Sequence, residues 1–287
     1  MAFKLLLTDA HSPLGSALSH ELERETFSLV SPEPGKLDWS DARSAKSFIG
    51  ANRPHILINT LNSDLLSDKE IISSSKSLAK ACAGTDIQVI HLSSYRVFGG
   101  ENKTAYSESD KPSPVDSRGW AYLEAERAFE KWLEEYIVLR LSWVVSIEGD
   151  NLLTRFLQAL SQGECVRPST RRRGSPAFSA EVARVVVAMI KQMLYGAQNW
   201  GVMHFSSKDI CTEAEFARQL VGVLKSLGHP CKEIQEISEG DDEAVASAVL
   251  SGRRCRNNFG IQARSWRQGL TAIVRLWLQR QESQNCA

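Results

Sequence analysis

Apolar runs and amphipathic segments alternate along the first half of the chain. Residues 3–8 form a continuous apolar run bounded by turn residues, which is typical of a strand covered on both faces. Ser12 and Pro13 then suit the N-cap and first turn of a helix, which we expect to end near Glu25. The alternation continues with predicted strands at 27–30, 55–59, 88–93 and 136–141, and predicted helices at 40–52, 69–83 and 119–135. It predicts an α/β fold with a doubly wound parallel sheet.

The alternation loosens after Trp143. Thr212 and Glu215 have the spacing of a capping box ahead of an amphipathic helix. Other expected elements are helices at 151–161 and 179–194, a short strand at 202–205, an exposed acidic segment at 238–248 and a frayed tail at 279–287. We therefore expect residues 1–145 to form mainly the sheet domain, and residues 146–287 mainly a smaller lobe interwoven with returning sheet elements.

Composition and charge exclude several classes of protein. The 287 residues, 43% of them apolar, are enough to bury a substantial core. Because 34 basic residues balance 34 acidic ones, no global field would gather nucleic acid or an anionic membrane. No apolar run approaches the roughly 18 residues of a membrane span, and the start of the chain lacks a signal-peptide pattern, so we expect a cytoplasmic protein. The six cysteines form no C-x-x-C pair, so we expect reduced thiols and no metal site.

The turn after the first predicted strand has the layout of a nucleotide-binding motif with most of its glycines missing. The chain passes from Thr8 through Asp9 to Ser12, and Gly15 is the first glycine that it reaches. In a dinucleotide site, glycines let this turn tighten and let the backbone approach the pyrophosphate at the helix N-terminus. Two interpretations stay open at this point, a tolerated variant of an active site and a scaffold that has lost its nucleotide chemistry.

Segments in a characteristic order extend this observation over nearly the whole chain. Residues 91–100 read His-Leu-Ser-Ser-Tyr-Arg-Val-Phe-Gly-Gly, directly after the start of a predicted strand. Further segments lie at 53–59, 106–114, 139–144, 149–151, 174–177 and 250–270. Together they resemble the extended short-chain dehydrogenase/reductase family, and within it the dTDP-4-dehydrorhamnose reductase branch. The resemblance implies a Rossmann-like NAD(P)-binding domain with a smaller C-terminal substrate lobe.

The resemblance also locates the family's catalytic positions, and most of them are changed. In the family, a tyrosine exchanges a proton with the substrate oxygen, and a lysine four residues later lowers the tyrosine pKa and holds the ribose. Arg118 stands at the tyrosine position and Tyr122 at the lysine position, whereas Ser94 keeps the family's Ser/Thr position. Arginine stays protonated and cannot act as the acid, so the resemblance implies that no catalytic set is intact.

Tyr122 offers one alternative, because it is a tyrosine one turn further along the same predicted helix. The residue four positions after it is Glu126, whose carboxylate would raise the pKa of the phenol. We therefore favour a partly buried aromatic residue that packs in a vacated pocket.

The glycine positions of the cofactor motif correspond to Asp9, Ser12 and Gly15. A carboxylate at Asp9 would stand near two phosphate charges, and a like-charge contact at about 4 Å costs roughly 1 kcal/mol in bulk water and about 4 kcal/mol at an effective dielectric near 20. Gly15 permits close packing of helix on sheet. Asp38, followed by Trp39, matches a family position near the adenine.

A basic cluster falls where the family's loop approaches the nucleotide-sugar. It consists of Arg171, Arg172 and Arg173, and arginine side chains bind phosphates well. Either these residues form a solvated loop, or together with Arg96 and Arg118 they line a cavity that holds an anion without reacting with it.

These observations lead to three competing functions. The favoured prediction is a non-catalytic, reductase-like pseudoenzyme that binds a protein partner or a nucleotide-sugar-like anion, with no cofactor. The alternative is a reductase of a nucleotide-sugar such as dTDP-4-dehydrorhamnose, which would use NADP or NAD. An epimerase or dehydratase would need the same missing tyrosine and lysine, and is disfavoured. The resemblance also suggests a homodimer through helices such as 119–135.

Overall fold

A six-stranded parallel sheet forms the centre of the molecule. The computed structural model describes residues 3–61, 66–101, 104–229, 231, 234–238 and 247–285. The strand order is β2-β1-β3-β4-β5-β9, and every pairing in this sheet is parallel. Its strands are β1 Lys4–Leu7, β2 Ser28–Val30, β3 Ile56–Asn59, β4 Gln88–Ser94, β5 Tyr136–Leu141 and β9 Gly201–Phe205. The predicted doubly wound α/β fold is confirmed.

Helices cover both faces of the sheet, as the continuous apolar strands require. The helices are α1 Pro13–Leu22, α2 Ala42–Asn52, α3 Asp68–Cys82, α4 Ser117–Trp132, α5 Leu152–Ser161, α6 Ser179–Leu194, α7 Glu213–Ser226, α8 Arg253–Phe259 and α9 Trp266–Asn285. One core joins the sheet to α1 and α6, and a second joins its other face to α2, α3 and α4. The sheet is thereby buried between two helical layers.

A smaller lobe lies beside the sheet and has a core of its own. Side chains from α5, α7 and α9 form this core, including the buried Trp266 and Trp277. Two small sheets join the lobe to the ends of the main strands, β6 Val144–Val145 with β8 Ala177–Phe178 and β7 Arg173–Gly174 with β10 Cys211–Thr212. The predicted capping box begins α7, where Thr212 and Glu215 bond reciprocally.

The C-terminal boundary differs from the sequence prediction. The tail expected to fray from residue 279 instead continues α9 to Asn285. An apolar stripe of Trp266, Leu270, Val274 and Trp277 packs the helix against the lobe core, and beyond it Arg280 pairs with Glu148, which holds the helix past residue 279. Most of the acidic segment, residues 239–246, lies outside the described residues.

Candidate active site

The candidate site lies at the carboxyl ends of the parallel strands. β1 pairs with β2 on one side and β3 on the other, so the chain reverses its direction across the sheet at β1. Open α/β sheets bind ligands in the crevice outside such a reversal. Here the ends of β1 and β3 are tied together, because Thr60 N–H donates to Thr8 Oγ1 at 2.9 Å.

A first cavity opens beside the turn that links β1 to α1. Its volume is about 810 Å³, and the residues that line it include Asp9, Ser12, Pro13 and Asp38. The Asp38 carboxylate accepts hydrogen bonds from the hydroxyl and the backbone N–H of Ser40, and these bonds lower its pKa. The cavity therefore keeps an ionised acceptor at the position that the resemblance places near an adenine.

Trp39 has a structural role next to this cavity. The indole N–H donates to the carbonyl of Thr8 at 2.9 Å, and the ring packs edge-on against Phe48. The side chain is 6% exposed, so it supports the end of β1 from below. Trp39 also lines the first cavity, so its largely buried ring forms part of the cavity wall.

The helix start keeps part of the dinucleotide geometry and changes another part. Ser12 caps α1, with its Oγ accepting from Gly15 N–H at 3.2 Å. A Cβ on Gly15 would lie 1.9 Å from the carbonyl oxygen of Asp9, so only glycine permits this close approach. The Asp9 carboxylate accepts from His11 N–H at 2.8 Å and from Ser12 N–H at 3.2 Å. The turn thus keeps the close approach of helix and strand at Gly15, while the Asp9 carboxylate occupies two amides at the start of the helix.

A second cavity, of about 580 Å³, lies between the sheet and the lobe. The ends of β4 and β5 contribute to it, together with α4 and residues of the lobe. Its lining includes Ser94, Tyr95, Arg96, Tyr122, Trp143 and Arg172. Ser12, Pro13, Glu148 and Gly149 line both cavities, so the two spaces adjoin at this wall.

Ser94 and Arg96 form the turn at the end of β4. Ser94 Oγ accepts from Arg96 N–H at 3.3 Å. The Arg96 guanidinium pairs with Asp116 at 2.6 Å, while its Nε–H is buried without a partner among the described residues. Burial opposes the charge, but the bond to Asp116 outweighs it, and the pKa of Arg96 is raised. The second cavity therefore keeps a permanent cation, which is partly balanced by one carboxylate.

Tyr122 reaches the same cavity from the second turn of α4. The side chain is 4% exposed and belongs to a small core beneath the turn of Ser94. An ionised Tyr122 also contributes to raising the pKa of Arg96, so the phenol and the guanidinium interact electrostatically. The structure therefore brings Ser94, Arg96 and Tyr122 together, as a hydroxyl, a cation and a phenol around one space.

Glu126 does not act on Tyr122 as a bare carboxylate. Its oxygens accept from Arg140, at 2.9 Å from Nε and 2.6 Å from Nη2, and from Ser93 Oγ at 2.5 Å. Because the guanidinium balances its charge, the sequence argument that Glu126 disfavours a reactive Tyr122 loses its basis. This partner could not be seen from the sequence around Tyr122, because Arg140 lies on a different element, near the end of β5.

Tyr95 is a residue of this cavity that the sequence reasoning missed. Burial raises the pKa of its phenol, and the indole of Trp143 hydrogen-bonds to its hydroxyl. The Trp143 ring also lies 2.4 Å from the place where a Cβ on Gly174 would be, so Gly174 makes room for the indole. Tyr95 directly follows β4 and Trp143 comes two residues after β5, and this position at the carboxyl end of a parallel strand is the signal that would have located both.

The remaining predicted arginines do not line one cavity together. Arg118 bonds the carboxylate of Asp68 at 3.0 Å and the carbonyl of Leu66 at 2.8 Å, which anchors it to the start of α3. Arg172 lines the second cavity and pairs with Glu213 at 3.4 Å. Arg171 is exposed, and the backbone of Arg173 pairs with Thr212 in a small sheet. Of the basic cluster, only Arg172 is among the residues that line this cavity.

The strand order, the adjoining cavities and the lobe define a Rossmann-type α/β protein with a smaller additional lobe. A model of the family described as RmlD substrate binding domain matches residues 3–278, so the chain belongs to that family. The chain is 23% identical to a dTDP-4-dehydrorhamnose reductase of Aggregatibacter actinomycetemcomitans, over 94% of this chain and 98% of that one. The resemblance to this branch of the extended short-chain dehydrogenases/reductases is confirmed.

Solved structures show the same fold. A dTDP-4-dehydrorhamnose reductase from Clostridium acetobutylicum superposes with a TM-score of 0.84 at 22% identity, over 96% of this chain and 100% of that one. A dTDP-4-dehydrorhamnose reductase from Bacillus anthracis in complex with NADP gives a TM-score of 0.83 at 20% identity, over 95% and 98% of the two chains.

These similarities correct the favoured functional prediction. A non-catalytic pseudoenzyme is contradicted, because the relatives that span almost the whole chain are reductases. The findings favour the alternative, an NAD(P)-dependent reductase. The expectation of no cofactor is likewise unsupported, since the Bacillus anthracis structure contains NADP. The changes at Asp9, Ser12, Arg118 and Tyr122 stand in a family framework that spans residues 3–278.

No helix among the described residues is long and apolar enough to cross a membrane.

The described cysteines, Cys82, Cys165, Cys211, Cys231 and Cys255, are free thiols. Burial raises the pKa of Cys82, Cys211 and Cys255 to about 12, which makes these three poor nucleophiles.

Proposed function

We propose that this protein is an NAD(P)-dependent reductase that reduces a keto group of a nucleotide-sugar, such as dTDP-4-dehydrorhamnose. The adjoining of the two cavities at Ser12, Pro13, Glu148 and Gly149 carries the proposal. A dinucleotide in the groove beside β1 and a sugar in the cavity beside β4 would meet at this wall. The names of the relatives supply the substrate class.

The first cavity would hold the cofactor through three kinds of contact. Asp38 would accept from the adenosine end, the start of α1 would face the pyrophosphate, and Gly15 keeps the helix close to the sheet. A bound dihydronicotinamide supplies the hydride that adds to the carbonyl carbon.

The chain's own residues would supply the proton. We assign the acid to Tyr122, whose hydroxyl proton passes to the carbonyl oxygen as that carbon gains the hydride, so that the ketone becomes an alcohol. Arg96, a cation that interacts with Tyr122, favours the phenolate that remains and so performs the electrostatic part of the family's lysine. Ser94 orients the carbonyl by donating a hydrogen bond.

Arg172 and the lobe would bind the nucleotide-sugar. Arg172 lines the second cavity beside Glu213, and its guanidinium suits a diphosphate. Because the side chain is paired with a carboxylate, its affinity for an anion depends on how far the diphosphate replaces Glu213.

The proposal is tested by following the loss of reduced nicotinamide when the protein is mixed with NADPH or NADH and dTDP-4-dehydrorhamnose. Oxidation that depends on the sugar is expected. Tyr122→Phe should lower kcat by about a hundredfold or more, because a positioned acid contributes at least that factor. Tyr195→Phe is the matched control, since Tyr195 is 88% exposed and lines neither cavity.

Two results would contradict the proposal. Absence of sugar-dependent oxidation with both cofactors, in protein that unfolds cooperatively, rules out the reductase. Full activity of Tyr122→Phe rules out Tyr122 as the acid and leaves the reductase standing.

A further inference from the structure

In the turn between β1 and α1, the carboxylate of Asp9 occupies backbone amides at the start of the helix. The amides at the start of a helix lack partners within the helix, and together with the helix dipole they form an anion-binding site. Here Asp9 Oδ1 accepts from His11 N–H at 2.8 Å and from Ser12 N–H at 3.2 Å, while Ser12 Oγ accepts from Gly15 N–H. Three amides of the turn are thus bonded to side chains of the same turn.

The backbone that carries this carboxylate is fixed. Asp9 N–H donates to Thr60 Oγ1 at 3.2 Å, and the Thr60 hydroxyl donates to Asp9 C=O at 2.9 Å. The same carbonyl oxygen lies against Gly15. Because the main chain is held from two sides, a ligand can displace only the Asp9 side chain, by rotation out of the turn.

The lobe also packs against the start of α1, next to the turn that carries Asp9. A Cβ on Gly149 would lie 2.7 Å from Cγ of Pro13, so the loop after β6 rests on the first turn of α1. The neighbouring Glu148 lines both cavities and pairs with Arg280 on α9. The cation of Arg280 balances Glu148, whereas no cation among the described residues pairs with Asp9 to offset its repulsion of phosphate.

We infer that Asp9 is a built-in competitor of the cofactor pyrophosphate and sets the dinucleotide affinity of this protein. The inference rests on the proposed function, because it concerns the cofactor of that reaction. The carboxylate takes the amides that a pyrophosphate would bond and repels its charge. The dinucleotide therefore binds only when Asp9 rotates away, and the affinity is low compared with a turn that has glycine at this position.

Binding of NADPH to variants of Asp9 tests the inference without turnover. NADPH titrations followed by tryptophan fluorescence and by calorimetry should give a Kd for Asp9→Gly that is lower than that of the wild type by a factor of at least about ten. This substitution removes both the charge and the group that occupies the amides. Asp9→Asn keeps an acceptor for the two amides and removes the charge, so an intermediate Kd is expected. Asp41→Asn is the matched control, because Asp41, like Asp9, accepts from the amides two and three residues later, and it lies outside both cavities.

Salt provides a second readout. Screening weakens the repulsion between Asp9 and the pyrophosphate. Raising the salt concentration should therefore weaken NADPH binding less in the wild type than in Asp9→Asn. Thermal unfolding of each variant checks that the fold is kept.

The outcomes separate the inference from the proposed function. Tight binding by the wild type with no gain in either Asp9 variant overturns the inference alone. Tighter binding by the variants, in protein that does not reduce the keto-sugar, supports the inference and overturns the function. Failure of every folded variant to bind NADPH and NADH overturns both.

Discussion

At the scale of single residues, the buried network around Arg140 changes how the site is understood. Arg140 and Glu126 are 3% and 4% exposed, and the guanidinium also lies 5.1 Å from the ring centre of Phe98. Two buried charges are tolerated only when they are paired and further hydrogen-bonded. Ser93 and His204 supply those further contacts, at 2.5 Å to Glu126 and 3.5 Å to Arg140.

Breaking this pair from one side should be costly. Arg140→Met leaves Glu126 buried and unpaired, and we expect a loss of about 3–5 kcal/mol in the free energy of unfolding, measured by urea denaturation. The double variant Arg140→Met with Glu126→Leu removes both charges and should recover most of that loss. Equal stability of the single variant and the wild type would show that the pair is not buried as described.

Two buried histidines predict a pH dependence of stability. Burial lowers the pKa of His91 and of His204 to about 3, from 6.5. Below pH 6.5 the unfolded chain binds protons that the folded chain excludes, so stability is retained above this pH and falls as the pH drops towards 3. Each histidine adds up to about 1.4 kcal/mol per pH unit.

The measurement is urea denaturation between about pH 6.5 and pH 5, above the range in which most carboxylates titrate. His91→Gln should make the stability less steep in pH than the wild type, by up to about 1.4 kcal/mol per unit. His229→Gln is the control, because His229 is exposed. A slope that His91→Gln leaves unchanged would contradict a buried, neutral His91.

At the scale of elements, the position of α4 depends on one close contact. A Cβ on Gly119 would lie 2.3 Å from the carbonyl oxygen of Arg96 and 2.9 Å from Cβ of Pro114. The first turn of α4 is therefore seated directly on the turn that carries Ser94 and Arg96. This contact sets where Tyr122, one turn later, stands relative to Ser94.

Gly119→Ala should consequently affect stability and activity together. The added methyl group meets backbone, so we expect a loss of about 1–3 kcal/mol in the free energy of unfolding and a lower kcat as α4 shifts. Gly222→Ala is the matched control, because Gly222 lies within α7 with open space around its Cβ position. That substitution should stabilise the protein by about 0.5–1 kcal/mol. A Gly119→Ala variant as stable as wild type would refute the close contact.

At the scale of the whole molecule, the second half of the chain completes the first. β9 pairs with β5 along Ile137–Leu141, and α6 packs on α1 within the core of the sheet. The lobe in turn rests on α1 through Gly149. Residues of the lobe form one wall of both cavities, so each cavity needs the two halves of the chain.

A fragment of residues 1–145 should therefore not fold independently. Without β9 the edge of β5 is unpaired, and without α6 one face of the sheet loses its cover of apolar side chains. We expect weak near-UV circular dichroism and aggregation, whereas the full chain unfolds cooperatively. A soluble fragment with a cooperative transition would contradict this dependence.

The elements and the family could be predicted from the sequence, but the pairing of charges could not. The strand from Tyr136 to Leu141 was located by its apolar run, yet the run gives no sign that Arg140 within it neutralises Glu126 on α4. Similarly, the sequence showed a carboxylate at Asp9, while its bonds to the amides of His11 and Ser12 depend on the conformation of the turn. From the sequence, the environments of Tyr122 and Asp9 could be predicted only from their neighbours along the chain.

The sequence by itself determined the six strands of the main sheet, the helices that follow them as far as α7, the capping of α7 and the family, because periodicity, caps and motif order are local properties of the chain. The tertiary structure alone decided which side chains share a space. Ser94, Arg96, Tyr122 and Arg172 come from three separate parts of the chain and meet because parallel strands end at one edge of the sheet and the lobe folds back over it. Contacts between residues that are far apart in the sequence therefore create the cavities and decide which charged groups are paired.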